Sequence, residues 1–212
     1  MKVNRYLAVG LGIVILQVAT VLSIRHFRTS TTPLEYEPWK IAGNPHGKVF
    51  LVEFSDFVCP HCYELQPVLK RLLAEYPDLY VIYKDFPVLG DLSELGAEAA
   101  ECAGDQGKFW EYADLLYANR EKWYTNVNND PHRNIGPPLL QFAEEIHLDT
   151  EKFKPCLKNR VKTAVVKANM EEGNAWLVDS TPTVLLNGKK IMASNHYDYL
   201  KSQIDKELAK SK

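Results

Sequence analysis

Two cysteines in a Cys-x-x-Cys spacing enclose a proline and a histidine, giving Cys59-Pro60-His61-Cys62. Thiolates are the nucleophiles of disulfide exchange, and a cysteine is held as thiolate where backbone N–H groups or positive charge favour it. The motif follows an apolar, β-forming run, Lys48-Val49-Phe50-Leu51-Val52-Glu53-Phe54. After it, Leu65, Val68, Leu69, Leu72, Leu73 and Tyr76 recur at helical spacing,. Cys59 therefore falls at a helix start, where unpaired N–H groups and the macrodipole favour the anion. Cys59 is the expected nucleophile, and Cys62, one turn on, is placed to close a disulfide with it. His61 adds a donor and, when protonated, a positive charge beside Cys59. A stabilised thiolate is a good leaving group, so Pro60-His61 between the cysteines argues for an oxidising disulfide. The competing readings of the motif are half a zinc site and a structural disulfide. No second Cys-x-x-Cys or close His pair completes a zinc set, and no metal or other cofactor is expected beyond the cysteine pair itself. A tethered copper-handling module with Cys59 and Cys62 as soft ligands is the alternative from a different class.

The flanking elements must position this pair. Glu53 interrupts the strand before the motif, where an acid is costly to bury without a purpose; the other reading is a strand-end carboxylate that reaches solvent. Pro67 is expected to kink the helix. A second strand at Leu79-Tyr80-Val81-Ile82-Tyr83 closes a βαβ unit with parallel pairing. From about 91 to 177 the pattern turns helical, with Phe109, Tyr112, Ala113 and Leu116 as one stripe and Leu139, Phe142, Ala143 and Ile146 as another. Phe109, Trp110 and Tyr112 are read as core. The Asn- and Pro-rich stretch from Tyr124 to Pro138 is read as a long surface loop. Asn187-Gly188 between Thr183-Val184-Leu185-Leu186 and Lys189-Lys190-Ile191-Met192 predicts a two-residue hairpin. A final amphipathic helix spans about 197 to 209. The order βαβ, helical insert, ββα predicts an α/β fold with a mixed central sheet flanked by helices.

At the scale of the chain, 212 residues with 46% hydrophobic and 25% charged residues suit one globular domain,. A net charge of -2, with no basic stripe, gives no reason to expect nucleic acid,. Lys2 and Arg5 precede an uncharged run from Tyr6 to Ile24 that is about 28 Å long as a helix,. Residues 6–24 are read as an uncleaved membrane anchor, with a cleaved signal as the alternative. Residues 1–5 then form a cytoplasmic N-terminus and 25–38 a linker; tether-like composition continues to about 45, and the domain covers 39–212. Cys59, Cys62, Cys102 and Cys156 all follow the apolar run, which points to an oxidising, extracytoplasmic compartment, periplasm or cell envelope,. Four cysteines allow three pairings, and spacing does not choose among them.

Cys59-Pro60-His61-Cys62 resembles the active-site tetrapeptide of DsbA-like oxidoreductases, and Val52-Glu53-Phe54-Ser55-Asp56-Phe57 resembles their strand-to-motif segment. Pro67, Lys84-Asp85-Phe86-Pro87 and the segment from Cys102 to Trp110 extend the similarity, which runs from about Trp39 to the C-terminus. The resemblance implies a thioredoxin-like fold with an inserted α-helical subdomain. It implies that Glu53 is the family's buried acid, assisting proton transfer at Cys62. Thr181-Pro182-Thr183 resembles the loop whose proline is cis, packs against the cysteines and exposes the Thr181 backbone to a substrate strand; a plain trans proline starting a strand is the bland reading. Ser180 stands where many relatives have glycine. Cys102–Cys156 is implied as a structural disulfide, with a resolving pair that relays electrons as the rival. The expected activity is a dithiol oxidase for unfolded or reduced exported proteins, working as a monomer. Reoxidation would come from a membrane quinone-linked thiol oxidase of the DsbB-like or VKOR-like kind. A reductase or isomerase for particular exported proteins is the alternative.

Overall fold

The computed structural model describes residues 36–128, 137–191 and 195–210. The expected anchor at 6–24, its cytoplasmic flank and residues 25–35 of the linker lie outside them. Among the described residues, no helix is long and apolar enough to cross a membrane.

Five strands form one sheet in the order β1-β3-β2-β4-β5. They are β1 (Ile41–Gly43), β2 (Val49–Ser55), β3 (Leu79–Asp85), β4 (Thr183–Leu186) and β5 (Lys189–Ile191). β2 pairs in parallel with β3 and antiparallel with β4, and the outer pairs are antiparallel. β2 is thus covered on both edges and both faces, which is why it reads as a nearly continuous apolar run. Its alternation sorts the side chains. Val49 and Leu51 face the core shared with α1 (Pro60–Glu75) and α8 (Tyr197–Lys210). Glu53 and Ser55, two and four residues beyond Leu51, fall on that same face at the end where α1 begins.

Among the described residues, six helices lie between β3 and β4: α2 (Asp91–Gly104), α3 (Phe109–Ala118), α4 (Arg120–Asn128), α5 (Pro137–Glu145), α6 (Thr150–Lys158) and α7 (Thr163–Ala175). Phe109, Tyr112, Leu116, Leu139, Phe142 and Phe153 pack into one buried cluster that also takes in Cys59 and Cys62. A disulfide joins Cys102 on α2 to Cys156 on α6. At the hairpin, Asn187 and Gly188 take φ values of 45° and 76°, the left-handed pair that a type I′ turn requires,.

Two elements differ from the sequence expectation. The chain read as tether to about 45 holds a 3₁₀ turn at Pro38–Lys40 and then edge strand β1, paired with β3. Three residues are too few to show periodicity, and tertiary pairing decides them. The stretch read as loop from Tyr124 to Pro138 is helical at both ends: α4 runs to Asn128 and α5 starts at Pro137. Trp123 anchors α4, fully buried, with its indole N–H donating to the Leu116 carbonyl; residues 129–136 lie outside the described set. Pro67 lies inside α1, which continues to Glu75 at the loss of the one backbone hydrogen bond that proline cannot donate,.

Lys40, in the stretch read as tether, has no exposed surface. Its ammonium pairs with Asp85 at 2.5 Å and with Glu101. Burial opposes the ammonium, but Asp85, Glu101 and Glu37 together hold it above the ordinary lysine range. Burial and the Asp85 charge push Glu101 up to about 8.

Candidate active site

β2 ends at Ser55, and the chain turns through Asp56-Phe57-Val58 into α1. Cys59 is the N-cap of that helix and Pro60 its first residue, where a missing N–H costs nothing,. Asp56, 1% exposed, fixes the turn: its carboxylate accepts from Val58 N at 2.8 Å and, with the other oxygen, from Val88 N and Leu89 N at 3.0 and 3.1 Å. Its carbonyl accepts from Cys59 N at 3.0 Å. On the far side, the Arg120 guanidinium donates to the Val58 carbonyl at 3.1 Å.

Cys59 and Cys62 are free thiols, both buried. The Cys59 pKa is lowered to about 5, first by the hydrogen bond with the Cys62 thiol, then by the backbone N–H groups of Cys62 and His61; partial burial opposes this. Burial, the Cys59 hydrogen bond and the nearby Glu53 charge push Cys62 far up instead. The pair is therefore asymmetric: Cys59 is the anion and Cys62 keeps its proton. Cys59 Sγ also lies 3.3 Å from the Thr181 carbonyl oxygen, which can accept from the thiol form. The Thr181–Pro182 peptide is cis.

His61 meets Cys59 through its backbone as well as through its charge. Its ring is exposed and meets Glu64 at 3.1 Å, a contact that raises the imidazole pKa. The His61 backbone N–H lowers the Cys59 pKa, and the Cys59 charge in turn adds a smaller upward push on the His61 ring.

Glu53 has no exposed surface, so the solvent-reaching reading of its carboxylate does not hold. Burial raises its pKa to about 7 against the pull of hydrogen bonds from Ser55 and Gln66. Ser55 Oγ donates to Glu53 at 2.7 Å, and Gln66 Nε2 donates to both carboxylate oxygens, at 3.0 and 3.2 Å, and to the Cys62 carbonyl at 3.2 Å. With the Ser55 proton spent on Glu53, the Tyr117 hydroxyl donates to Ser55 at 2.8 Å, and Tyr83 lies 3.3 Å beyond. A buried polar chain thus runs from Gln66 through Glu53 and Ser55 to Tyr117, below Cys62.

Glu53, Cys59, Pro60, His61, Cys62, Thr181 and Pro182 come together at this end of the sheet, while Cys102 and Cys156 are bonded to each other in the helical insertion. Sequence reading missed Gln66, Ser55, Asp56, Tyr117 and Arg120. Gln66 carried a signal, as a polar residue beside Leu65 one turn after Cys62 on a helix whose stripe is otherwise apolar. Ser55 and Asp56 stood within the 52–57 segment, with partners in Glu53 and Val58 two residues away, but no role was read for them; Tyr117 and Arg120 carried no signal, because their partners lie on elements distant in sequence.

A family model described as thioredoxin matches residues 36–206. The chain is 32% identical over 187 residues to the probable disulfide bond formation protein D of Bacillus anthracis, covering 82% of this chain and 81% of that one. It is 28% identical over 180 residues to the Na(+)/H(+) antiporter NhaA 1 of Salinispora arenicola, covering 84% of this chain but only 26% of the antiporter, so it spans about a quarter of that relative's length. A thioredoxin-like oxidoreductase from Silicibacter pomeroyi superposes with a TM-score of 0.65 at 26% identity, over 80% of this chain and 92% of that one. The chain belongs to the thioredoxin family, in its DsbA-like branch with an inserted helical subdomain.

Proposed function

We propose that this chain is an extracytoplasmic thiol-disulfide oxidoreductase that works as a dithiol oxidase on exported proteins. The observation that carries this reading is the asymmetry of the pair, with Cys59 lowered to about 5 and Cys62 pushed up beside it. A thiolate that stable favours the reduced pair and leaves readily when the substrate–Cys59 disulfide is resolved, so the Cys59–Cys62 disulfide is an oxidising one.

In the forward cycle a substrate thiolate attacks Cys59 Sγ in the disulfide. A substrate–Cys59 disulfide forms, and the Cys59–Cys62 bond breaks with its electron pair on Cys62, which takes up a proton. Glu53, with a pKa near 7 and close enough for its charge to act on Cys62, is the group assigned to supply that proton,. A second substrate thiolate then attacks the substrate sulfur and releases Cys59 as thiolate. The substrate dithiol is oxidised by two electrons and the enzyme pair is reduced. Thr181, whose carbonyl lies against Cys59 Sγ, is the backbone on which a substrate strand would pair,. Reoxidation is assigned to a membrane quinone-linked thiol oxidase, and Cys102–Cys156 to a structural role.

The test is refolding of a reduced, disulfide-containing protein with the purified full chain in its oxidised form. The reading expects one substrate disulfide per Cys59–Cys62 consumed, and none with Cys59→Ser. A chain that instead reduces disulfides in a glutathione buffer and forms none supports the reductase alternative.

A further inference from the structure

Beside the cysteine motif lies a cavity of about 200 Å³ lined by Tyr63, Tyr117, Ala118, Asn119, Arg120, Glu121 and Lys122. Its walls adjoin the redox motif at two points. Tyr63 follows Cys62 on α1 and is half exposed, and Arg120 holds the carbonyl of Val58, the residue before Cys59. The volume suits one side chain, below the roughly 300 Å³ at which small-molecule sites begin,.

The cavity is cationic. Arg120 and Lys122 stand against Glu121, whose carboxylate is 88% exposed and 3.7 Å from Arg120. A guanidinium carries five donors in a planar fork, and here one is given to a carbonyl and the ion pair to Glu121 is long,. What such a fork accepts best is a carboxylate. The Arg120 side chain is 23% exposed, so the charge is partly desolvated yet reachable,. The Tyr63 ring offers an apolar wall for the methylene stem of an acidic side chain.

We propose that this cavity is a substrate subsite for an aspartate or glutamate lying one or two residues from the cysteine that attacks Cys59. The inference rests on the oxidase reading above and adds a sequence preference to it. Substrates with acidic residues flanking their cysteines are captured faster, and those with basic flanks are disfavoured by Arg120 and Lys122.

The test uses three dithiol peptides that differ only in Asp, Asn or Lys beside the first cysteine, mixed in single turnover with the oxidised full chain. Each rate constant is divided by that of the same peptide with 2-hydroxyethyl disulfide, an uncharged disulfide, which removes the effect of the flanking charge on the peptide's own thiol. The Asp peptide is expected to react about fivefold faster than the Lys peptide after this correction, with the gap closing at high salt. Lys122→Glu is expected to shrink or invert the preference, and Arg120→Lys, which keeps the charge but loses the fork, to weaken it. Equal corrected constants, or a preference that Lys122→Glu leaves intact, overturn the subsite alone. A chain that oxidises none of the peptides overturns the oxidase reading and the subsite with it.

Discussion

Cys59 and Glu53 titrate in opposite senses, and each leaves its own mark on the pH dependence of the reduced protein. Cys59 is lowered below its unfolded value, so its contribution to stability is gained as pH rises above about 5,. Glu53 is raised from 4.5 to about 7, so the folded chain holds a proton that the unfolded chain has lost, and stability falls as pH rises through that window,. A shift of that size amounts to about 3 kcal/mol, fully present above pH 7. Glu53→Gln removes this slope and keeps the shape and one acceptor. Urea unfolding of the two reduced proteins from pH 4 to 8 should show the variant gaining on the parent by about 3 kcal/mol across the range; parallel curves would mean that Glu53 does not hold a proton near neutrality. Cys59 titrates in both proteins, so the difference keeps only its coupling to Glu53, the smallest cause of the Glu53 shift. At this scale the cysteines, their helix-start position and the acid were legible from local sequence. Gln66, Ser55 and Tyr117 around Glu53 were not, because Tyr117 comes 64 positions after Glu53 and only the fold brings it to Ser55.

The elements that hold the site differ in how much of themselves they wrote into the sequence. β2, α1 and β3 were readable because each carries a long apolar pattern, and the hairpin because Asn187-Gly188 is the pair a left-handed turn selects,. β1 was missed because Ile41–Gly43 is short and forms only by pairing with β3. The later part of α4, from Tyr124 to Asn128, was missed because Asn126, Asn128 and Asn129 look like loop, whereas burial of Trp123 anchors the helix,. In the insertion, the Cys102–Cys156 bond spans a separation of 54 residues between α2 and α6. By loop-closure entropy its removal in Cys102→Ser/Cys156→Ser should cost about 4 kcal/mol. Because both sulfurs sit in the insertion, the double variant should keep the Cys59 thiolate midpoint, read by absorbance at the ultraviolet thiolate band. A midpoint that moves with the double variant would instead tie this pair to the redox centre.

At the scale of the whole molecule, the sheet and the helical insertion are joined under the N-terminal entry of the domain by Lys40, which pairs with Asp85 at the end of β3 and Glu101 on α2. Nothing in the local sequence marks Lys40, since a lysine beside a proline-rich stretch reads as solvated. Lys40→Met would leave Asp85 and Glu101 facing each other without their cation, at a cost of about 3 to 5 kcal/mol. Thermal or urea unfolding measures that loss, and a variant as stable as the parent would show that the triad does not hold the two parts together. Residue, element and whole converge on one quantity, the ease with which the Cys59–Cys62 disulfide yields to a thiol. Equilibrating the full chain with glutathione buffers and reading the reduced fraction gives its reduction potential directly. The oxidase account predicts a potential more oxidising than about −200 mV, towards the value of about −120 mV known for DsbA. A potential near the roughly −270 mV of thioredoxin would contradict it and make the pair a reductant.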